Sequence, residues 1–424
     1  MTSSGGSSPA ACGCRCAMSA PSSVVGPAGC PVSTSTPKPW PASPESERLI
    51  MDIAIIGAGL GGLAAAVALR HHGHRPVLFD KTRALGEVGG PLGISPQTLR
   101  LFSQWDIGRA FDEISSATQY FETLDQFGRL EKVTDYAATP EAGGEHGRFG
   151  YADAEVSPRT VHRADLHSLL VSTVGSDNVR LGHELTGITE HDDHVELGFT
   201  NGEVQRAGVV IAADGLRSRV RKMFSSDDIH YCGSVIFRAV SPAECVEGPN
   251  DRLRSWHSAD YAKHIISMPV RAGRQVAVDA TLGVDEPPLH LWSAQADLEA
   301  LARQFDEFDP AVGRMLRAAT SPVYMHPVYD RDPIDRWTSA RVALLGDAAH
   351  PMTPFGGQGA NQAIQDAAEL AGQIATAPAG DLAKALQRYQ RIRTEQTAEI
   401  QRAARSYADR RAKVSLRLAD ILVD

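Results

Sequence analysis

The sequence predicts an α/β fold built around a parallel β-sheet, and two widely separated segments carry that prediction. Residues 52–80 read DIAIIGAGLGGLAAAVALRHHGHRPVLFD, and residues 344–366 read LLGDAAHPMTPFGGQGANQAIQD. Both run from a short apolar strand through a glycine-rich turn into a helix of small residues. The first N–H groups of a helix have no internal partners, so such helix starts favour an anionic or electron-rich ligand.

The first segment contains the G-x-G-x-x-G pattern as Gly57, Gly59 and Gly62. Gly57 permits the tight turn, Gly59 lets a pyrophosphate approach the backbone, and Gly62 allows the helix to pack closely on the strand. A second strand then ends at Asp80, where a carboxylate can accept hydrogen bonds from a ribose hydroxyl. Strand, helix and acid in this order predict a Rossmann-like dinucleotide site rather than an ordinary glycine-rich turn.

Length and composition narrow the class of protein. A chain of 424 residues is too long for one small core and predicts two or three structural units. The formal net charge of -9 argues against nucleic acid or an anionic membrane as the main partner. The apolar runs are of strand length and not of transmembrane length, and the cysteines do not form the framework of a disulfide-rich domain. We therefore predict a cytoplasmic protein.

Residues 1–50 differ from the rest of the chain. They are rich in Ser, Pro, Ala and Gly and poor in acidic residues, so they bury too little apolar surface to fold alone. The close spacing of Cys12, Cys14 and Cys16 does not match a C-x-x-C zinc site, and we predict no metal. Basic residues are scarce for a transit peptide. We expect a disordered extension or a true translation start at Met51.

The remaining chain divides into four parts. Residues 51–225 contain the dinucleotide fingerprint with inserted strands, and residues 226–330 are rich in β-like runs such as HIISMPV and QVAVDATL. Residues 331–375 contain the second glycine loop and complete the dinucleotide-binding domain. Residues 376–424 have apolar residues at helical spacing with charges of both signs between them, which predicts a C-terminal helix.

Three motifs in this order resemble those of a known family. Gly57–Gly62, Asp214-Gly215 after a strand, and Gly346-Asp347 resemble the single-component (class A) FAD-dependent aromatic monooxygenases, the para-hydroxybenzoate hydroxylase family. Residues 346–367 match the family pattern G-D-A-A-H-P…G-Q-G-x-N-x-x-I-x-D-A, and the salicylate, hydroxybenzoate and hydroxynicotinate hydroxylase branch is the most similar. The resemblance covers about residues 51–375. It implies a Rossmann-like FAD-binding domain interleaved with a β-sheet substrate domain, followed by C-terminal helices.

The resemblance also implies a chemistry. NADH or NADPH reduces the flavin, O2 adds at flavin carbon C4a, and the hydroperoxide hydroxylates a small aromatic or N-heteroaromatic substrate that is phenolic or carboxylated. The residues expected to bind FAD are Gly57, Gly59, Leu60, Gly62, Asp80, Lys81, Arg163, Asp214, Gly215, Gly346, Asp347, Gly357, Gly359, Ala360 and Asn361. Asp80 is assigned to the adenosine ribose and Asp347 to the ribityl or flavin-side phosphate. The helix start near Gly359 is expected to stabilise negative charge on the flavin ring.

The substrate pocket is expected between the flavin and residues 226–330. The candidate catalytic residues are His350, Pro351, Arg238, His257 and Tyr231, with His264 and Tyr261 as further candidates. His350 and Pro351 are expected to line the reacting face, Arg238 to anchor a substrate carboxylate, and one of the others to act as general base. Each also has a structural interpretation, as a loop-packing residue or a satisfied residue of a sheet face. Gly93 stands where the hydroxynicotinate branch has a histidine, so that base is not expected here.

Other functions stay open at this point. The same fold serves other flavoprotein oxidoreductases, such as an epoxidase or a reductase of specialised metabolism, and flavin halogenases. It also serves non-enzymatic modules that have lost flavin. The halogenase signature W-x-W-x-I-P is not found, and a module without flavin has little reason to keep the Asp347 loop. The expected partners are a small aromatic substrate and O2, without nucleic acid or membrane, and the expected state is a monomer or homodimer.

Overall fold

The computed structural model describes residues 52–86, 89–138, 151, 153, 155–285, 294–378, 381–414 and 417–423. The disordered extension predicted for residues 1–50 lies outside these residues. Within the described ranges, no helix combines the length and the apolar character that crossing a bilayer requires.

Helices interrupt the strands mainly near the two ends of the chain, and the strands within the described part of residues 179–295 follow one another without an α-helix between them. The strands are β1 (Asp52–Ile56), β2 (Arg75–Phe79), β3 (Pro91–Ile94), β4 (Ser115–Ala117), β5 (Tyr120–Asp125), β6 (Leu130–Asp135), β7 (Arg159–His162), β8 (Val179–Arg180), β9 (Leu185–Glu190), β10 (Val195–Phe199), β11 (Val204–Ala207), β12 (Val209–Ala212), β13 (His230–Pro242), β14 (Arg252–His257), β15 (Lys263–Val270), β16 (Gln275–Gly283), β17 (Ala294–Gln295), β18 (Tyr324–Asp330) and β19 (Val342–Leu344). The helices are α1 (Leu60–His71), α2 (Pro96–Gln104), α3 (Gly108–Ile114), α4 (Arg163–Val174), α5 (Leu298–Arg303), α6 (Pro310–Arg317), α7 (Gly359–Ala375) and α8 (Leu382–Asp409).

A five-stranded parallel sheet in the order β19-β12-β1-β2-β8 forms the first structural layer. Helix α1 packs against α4 and α7, so the two segments that predicted the fold lie side by side. Small residues allow this close packing, because a Cβ atom placed on Gly61 of α1 would lie only 3.3 Å from the Cβ of Ala363 on α7. The predicted α/β class and its Rossmann-like sheet are confirmed.

An eight-stranded sheet in the order β17-β18-β13-β16-β15-β14-β5-β6 forms the second large layer. Successive side chains of a strand point to opposite faces of the sheet, and one face is apolar and packs on α5 and α6 through residues such as Phe237, Val278 and Met315. The opposite face includes Arg238 and Asp279, which are paired across β13 and β16. Strands β5 and β6 precede residue 226 in sequence yet join the edge of this sheet, because β5 pairs in parallel with β14.

Two smaller sheets complete the fold. Strands β9, β10 and β11 form an antiparallel sheet, and β3, β4 and β7 form another that contacts β15. The helix predicted for residues 376–424 is shorter than expected and ends at Asp409. Beyond it, the N–H of Ala412 donates to the carbonyl of Asp260 and the N–H of Val414 donates to the carbonyl of Gly283. Because strand β16 and the turn before β15 satisfy these backbone groups, residues 412–414 do not extend the helix.

Candidate active site

The candidate site begins at the carboxyl ends of three neighbouring parallel strands. Strands β1, β12 and β19 are adjacent in the sheet, and Gly57, Asp214 and Gly346 follow closely on their last residues. In open α/β sheets, ligands bind outside the carboxyl ends of the strands. The three sequence motifs are therefore brought together at the edge where such a ligand is expected.

The glycines of the first loop have different surroundings. Gly57 has a φ of 102°, and a Cβ atom there would lie 2.3 Å from the carbonyl oxygen of Ala213. A Cβ atom on Gly62 would lie 2.0 Å from the carbonyl oxygen of Gly57. By contrast, a Cβ atom on Gly59 would meet no atom within 4 Å, and no side chain caps the helix start at Leu60. This helix start therefore presents its N–H groups to an open cradle that suits a diphosphate.

Asp80 holds the same loop in place. Its Oδ2 accepts a hydrogen bond of 2.7 Å from the N–H of Ala58, and its Oδ1 accepts hydrogen bonds from Thr82. His167, which lies one turn after Arg163 on α4, places Nε2 2.8 Å from the carbonyl oxygen of Ala58. Sequence reasoning missed His167, although its spacing of four from Arg163 puts both residues on one helical face. The neighbouring Lys81 is exposed.

Asp347 lies at the N-terminus of α7. A Cβ atom on Gly359, the first residue of that helix, would be 4.0 Å from Asp347 Oδ1, and Gln358 supplies no side-chain cap. The Asp347 side chain is open to solvent within a recess, and burial among protein atoms raises the pKa of its carboxyl above the ordinary value, although the charges of His350 and Arg163 oppose this. An ionisable group in such a recess is typical of a ligand site.

The middle motif supplies a second carboxylate. Asp214 Oδ2 accepts a hydrogen bond of 2.9 Å from the N–H of Arg219, whereas Oδ1 is buried and has no hydrogen-bond partner among the described residues. Burial raises the pKa of Asp214. Gly215 has a φ of 78°, and a Cβ atom there would meet nothing within 4 Å. This turn therefore leaves space beside an acceptor that lacks a partner.

Asn361 fixes the glycine loop before α7 to the start of α2. Its Oδ1 accepts a hydrogen bond from the N–H of Ser95, and its Nδ2 donates to the carbonyl oxygens of Gly93 and Gly357. The Tyr151 hydroxyl donates to the same Gly357 oxygen over 2.7 Å. A Cβ atom on Gly93 would lie 3.0 Å from that hydroxyl, so Gly93 leaves room for Tyr151. The Asn361 side chain thus shapes the loop, and the first-turn N–H groups of Gly359, Ala360 and Asn361 carry the anion-binding potential.

His350 lies on the buried side of its loop, and it is 1% exposed. Its Nε2 is 2.6 Å from Asp366 Oδ2, which also accepts the N–H of Gly346, while Arg393 of α8 donates to Oδ1 over 2.6 Å. Burial alone would raise the pKa of Asp366, but the charges and hydrogen bonds of His350 and Arg393 lower it to about 2. The geometry therefore favours the loop-packing interpretation of His350 over a position on the reacting face. Pro351 is likewise buried, and its carbonyl oxygen accepts a hydrogen bond from Gln401.

Arg163 and Arg238 mark the junction between this recess and the eight-stranded sheet. Burial lowers the pKa of Arg163, the charge of Arg238 lowers it further, and the charge of Asp347 opposes the change. Arg238 Nε lies 3.6 Å from Asp279 Oδ2, and neither Arg238 Nε nor Asp279 Oδ1 has a hydrogen-bond partner among the described residues. Burial and the two arginines lower the pKa of the nearby His326 to about 4, so its imidazole is neutral. Arg163 and Arg238 are therefore the charged donors at this junction, each beside a carboxyl group.

Two of the predicted catalytic residues, Tyr231 and His257, are hydrogen-bonded to other groups of the protein. The Tyr231 hydroxyl donates to the carbonyl oxygen of Val284 over 3.0 Å, and burial raises the pKa of this phenol. His257 bonds Glu131 through Nε2 and the carbonyl of Ser258 through Nδ1, and its ring stacks on Tyr261 at 4.3 Å. The protein thus satisfies these polar groups. His257 pairs with His264 of β15 and so shares the sheet face of Arg238, but both of its ring nitrogens are already occupied.

A parallel sheet with uncapped helix starts and carboxylates at its carboxyl edge is typical of a dinucleotide-binding fold. The FAD binding domain family matches residues 50–404. The chain is 33% identical to the 3-amino-4-hydroxybenzoate 2-monooxygenase of Streptomyces cremeus, over 84% of this chain and 86% of that relative. It is 31% identical to the 6-hydroxynicotinate 3-monooxygenase of Bordetella bronchiseptica, over 83% of this chain and 90% of that relative.

A solved structure has a similar fold. The crystal structure of Klebsiella pneumoniae HpxO complexed with FAD and uric acid has a TM-score of 0.73 at 25% identity, covering 84% of this chain and 88% of that one. The chain belongs to the FAD binding domain family. It is an FAD-dependent monooxygenase of the aromatic hydroxylase class, which confirms the enzyme class and the cofactor predicted from the sequence.

Proposed function

We propose that this enzyme hydroxylates a small aromatic or N-heteroaromatic acid that also carries a hydroxyl group, with NADH or NADPH as reductant and O2 as second substrate. The observation that carries this proposal is the Arg238 guanidinium on the face of the large sheet that meets the FAD recess. Relatives named for aminohydroxybenzoate and hydroxynicotinate support it, because both compounds join a carboxylate to an aromatic ring that carries a hydroxyl group.

The residues of the recess fit FAD. Gly59 and the start of α1 are proposed to hold the pyrophosphate, and Asp80 the adenosine ribose. Asp347 and the start of α7 are proposed to hold the flavin end, where first-turn N–H groups stabilise negative charge. FAD, when bound, supplies the redox chemistry, and the chain supplies position and field. We also propose that residues 51–225 and 331–375 bind the cofactor, while residues 226–330 cover the substrate.

Arg238 is suited to a carboxylate. A guanidinium presents planar paired donors that match the two oxygens of a carboxylate, and the interaction is strong where water is excluded. Asp279, opposite Arg238 on β16, keeps the guanidinium oriented at 3.6 Å without a hydrogen bond to its Nε. The buried Nε–H donor is therefore left without a partner among the described residues. Neutral His326 adds no second positive charge beside it.

The test is a ligand panel on the FAD-loaded enzyme. We expect 3-hydroxybenzoate, salicylate, 3-amino-4-hydroxybenzoate or 6-hydroxynicotinate to accelerate NADH or NADPH oxidation, with a hydroxylated product. Phenol and 2-aminophenol, which lack the carboxylate, should accelerate NADH or NADPH oxidation less than one tenth as much. The Arg238→Met variant should lose this preference for acids, whereas Arg314→Met, which removes an exposed arginine on α6, should keep it. Failure of every aromatic compound to stimulate flavin reduction would overturn the proposed substrate class.

A further inference from the structure

A second polar position lies on the same sheet face as Arg238. Register places Arg238 opposite Asp279, and Thr281, two residues further along β16, lies opposite both Ile236 of β13 and His264 of β15. Directly paired residues share a face, so the His264 side chain lies on the face that carries Arg238. The strand spacing and rise put the two Cα atoms about 12 Å apart, a span suited to one ring with polar groups at both ends.

His264 has one ring nitrogen without a partner. Its Nε2 lies 2.8 Å from Ser255 Oγ, whereas Nδ1 is buried and has no hydrogen-bond partner within the part of the chain that the structure describes. Burial lowers the pKa of His264 well below its ordinary value, and the charges of Arg411 and His257 lower it further. The imidazole is therefore neutral and able to accept a proton at Nδ1 when Nε2–H donates to Ser255.

Arg411, in the segment after α8, lies close enough to His264 for its charge to act on that imidazole. Its side chain is largely covered, with 9% exposed, and its guanidinium carbon lies 4.2 Å from the ring centre of Phe355. Nη1 donates to the carbonyl oxygen of Tyr261, but Nε is buried and has no partner among the described residues. Burial lowers the pKa of Arg411 to about 10, so it stays charged at neutral pH.

Phe355 connects the surroundings of Arg411 to the FAD recess. It belongs to the loop that leads into α7, and its ring packs against the buried cluster that contains Ile236 and Val328 on the large sheet. The guanidinium of Arg411 therefore lies where the glycine loop before α7, the large sheet and the C-terminal segment meet. His264 Nδ1 and Arg411 Nε are thus two buried nitrogen atoms without a hydrogen-bond partner among the described residues, and such atoms call for a polar ligand group.

We propose that His264 and Arg411 bind the hydroxyl group of the aromatic substrate and convert it to the phenolate. The O–H bond breaks, its proton forms a new N–H bond at His264 Nδ1, and the electron pair stays on the oxygen. Arg411 Nε–H donates a hydrogen bond to the phenolate oxygen. The negative charge so formed offsets the cost of a buried imidazolium, and it makes the ring more nucleophilic. This inference rests on the proposed function, with Arg238 holding the carboxylate at the other end.

The test uses 4-hydroxy-3-nitrobenzoate, whose phenolate absorbs visible light, bound to the FAD-loaded enzyme. We expect wild type to lower the pKa of the bound phenol, so that the ratio of phenolate to phenol rises at least tenfold over that in solution. His264→Asn and Arg411→Met should each abolish most of this rise while the carboxylate end still binds. Arg411→Lys, which keeps a charge, should restore part of it. His191→Asn, at the exposed end of β9, should match wild type.

Distinct outcomes separate the two proposals. Binding of the probe with an unshifted titration in wild type, or an unchanged shift in Arg411→Met, would overturn the roles of His264 and Arg411 alone. Failure of the probe and of every panel acid to perturb the flavin spectrum would overturn the proposed substrate class and this inference together. Retention of FAD by each variant establishes that it is folded.

Discussion

His350 Nε2 and Asp366 Oδ2 lie 2.6 Å apart in a buried site that joins the loop after β19 to the middle of α7. Arg393 donates to the other oxygen of Asp366, so one carboxylate connects the loop, α7 and α8. Asp347, which faces the FAD recess, belongs to the same loop. The position of a cofactor-facing residue thus depends on an ion-pair network that lies behind it.

Replacement of Asp366 by Asn should destabilise the protein strongly. The change leaves Arg393 buried without its charged partner, and breaking a buried pair in this way costs about 3 kcal/mol. Urea unfolding of the FAD-loaded enzyme measures the change in free energy of unfolding. Asp381→Asn is the matched control. Asp381 pairs with Lys384 on the surface, so its replacement should change the free energy of unfolding little. Equal stability of the two variants would refute the network.

Acid should weaken the same network. The pKa of Asp366 is lowered from 3.8 to about 2 in the folded protein, so the carboxylate stabilises the fold above its unfolded pKa and loses this effect as the pH falls toward 2. The contribution at stake is roughly 2 kcal/mol. Unfolding in urea at several pH values between 5 and 3 should show a smaller loss of stability for Asp366→Asn than for wild type. Parallel pH dependence of the two proteins is the contrary result.

Substitution of Gly59 by Ala should separate cofactor binding from folding. No atom lies within 4 Å of the new Cβ, so the apoprotein should unfold at the wild-type urea concentration. The methyl group occupies the space proposed for the pyrophosphate, so FAD affinity should fall at least tenfold, as measured by titration of the apoprotein. Gly187→Ala, whose Cβ also meets nothing within 4 Å, should bind FAD normally. Undiminished FAD affinity in Gly59→Ala would argue against this placement of the diphosphate.

Asp347→Ala should weaken FAD retention. The carboxylate lies at the uncapped start of α7, in the recess proposed for the flavin end of the cofactor. We expect at least a tenfold faster loss of FAD on dilution, followed by the rise in free flavin fluorescence. Asp335→Ala, at an exposed position, is the comparison variant and should retain FAD like wild type. The assigned role fails if both variants release FAD at the same rate.

The sequence predicted the parts of the site that local patterns encode. The glycine loop at Gly57 and the acid at Asp80 need only a strand, a turn and a helix in order, so their geometry follows from adjacent residues. The structure favours the loop-packing interpretation of His350, and its place on the reacting face stays a prediction, since a sequence does not show which side of a loop is buried. Its partner Asp366 lies only 16 residues away in the same segment, and the spacing of two ionisable residues was a usable signal.

The parts that escaped prediction depend on strand register and long-range packing. Asp279 faces Arg238 only because β13 and β16 pair in one particular register. Arg411 contacts the carbonyl of Tyr261, which is 150 residues earlier in the chain, and nothing local distinguishes it from other arginines of the tail. His264 was a candidate base among several, and only its unpartnered Nδ1 separates it from His257.

The room that Gly93 leaves for Tyr151 has a consequence for protein design. The two positions share one small volume beside the glycine loop, so a larger side chain at position 93 meets the Tyr151 hydroxyl. A designer who wishes to bring a new polar group in beside the flavin loop at position 93 must therefore change Tyr151 in the same step.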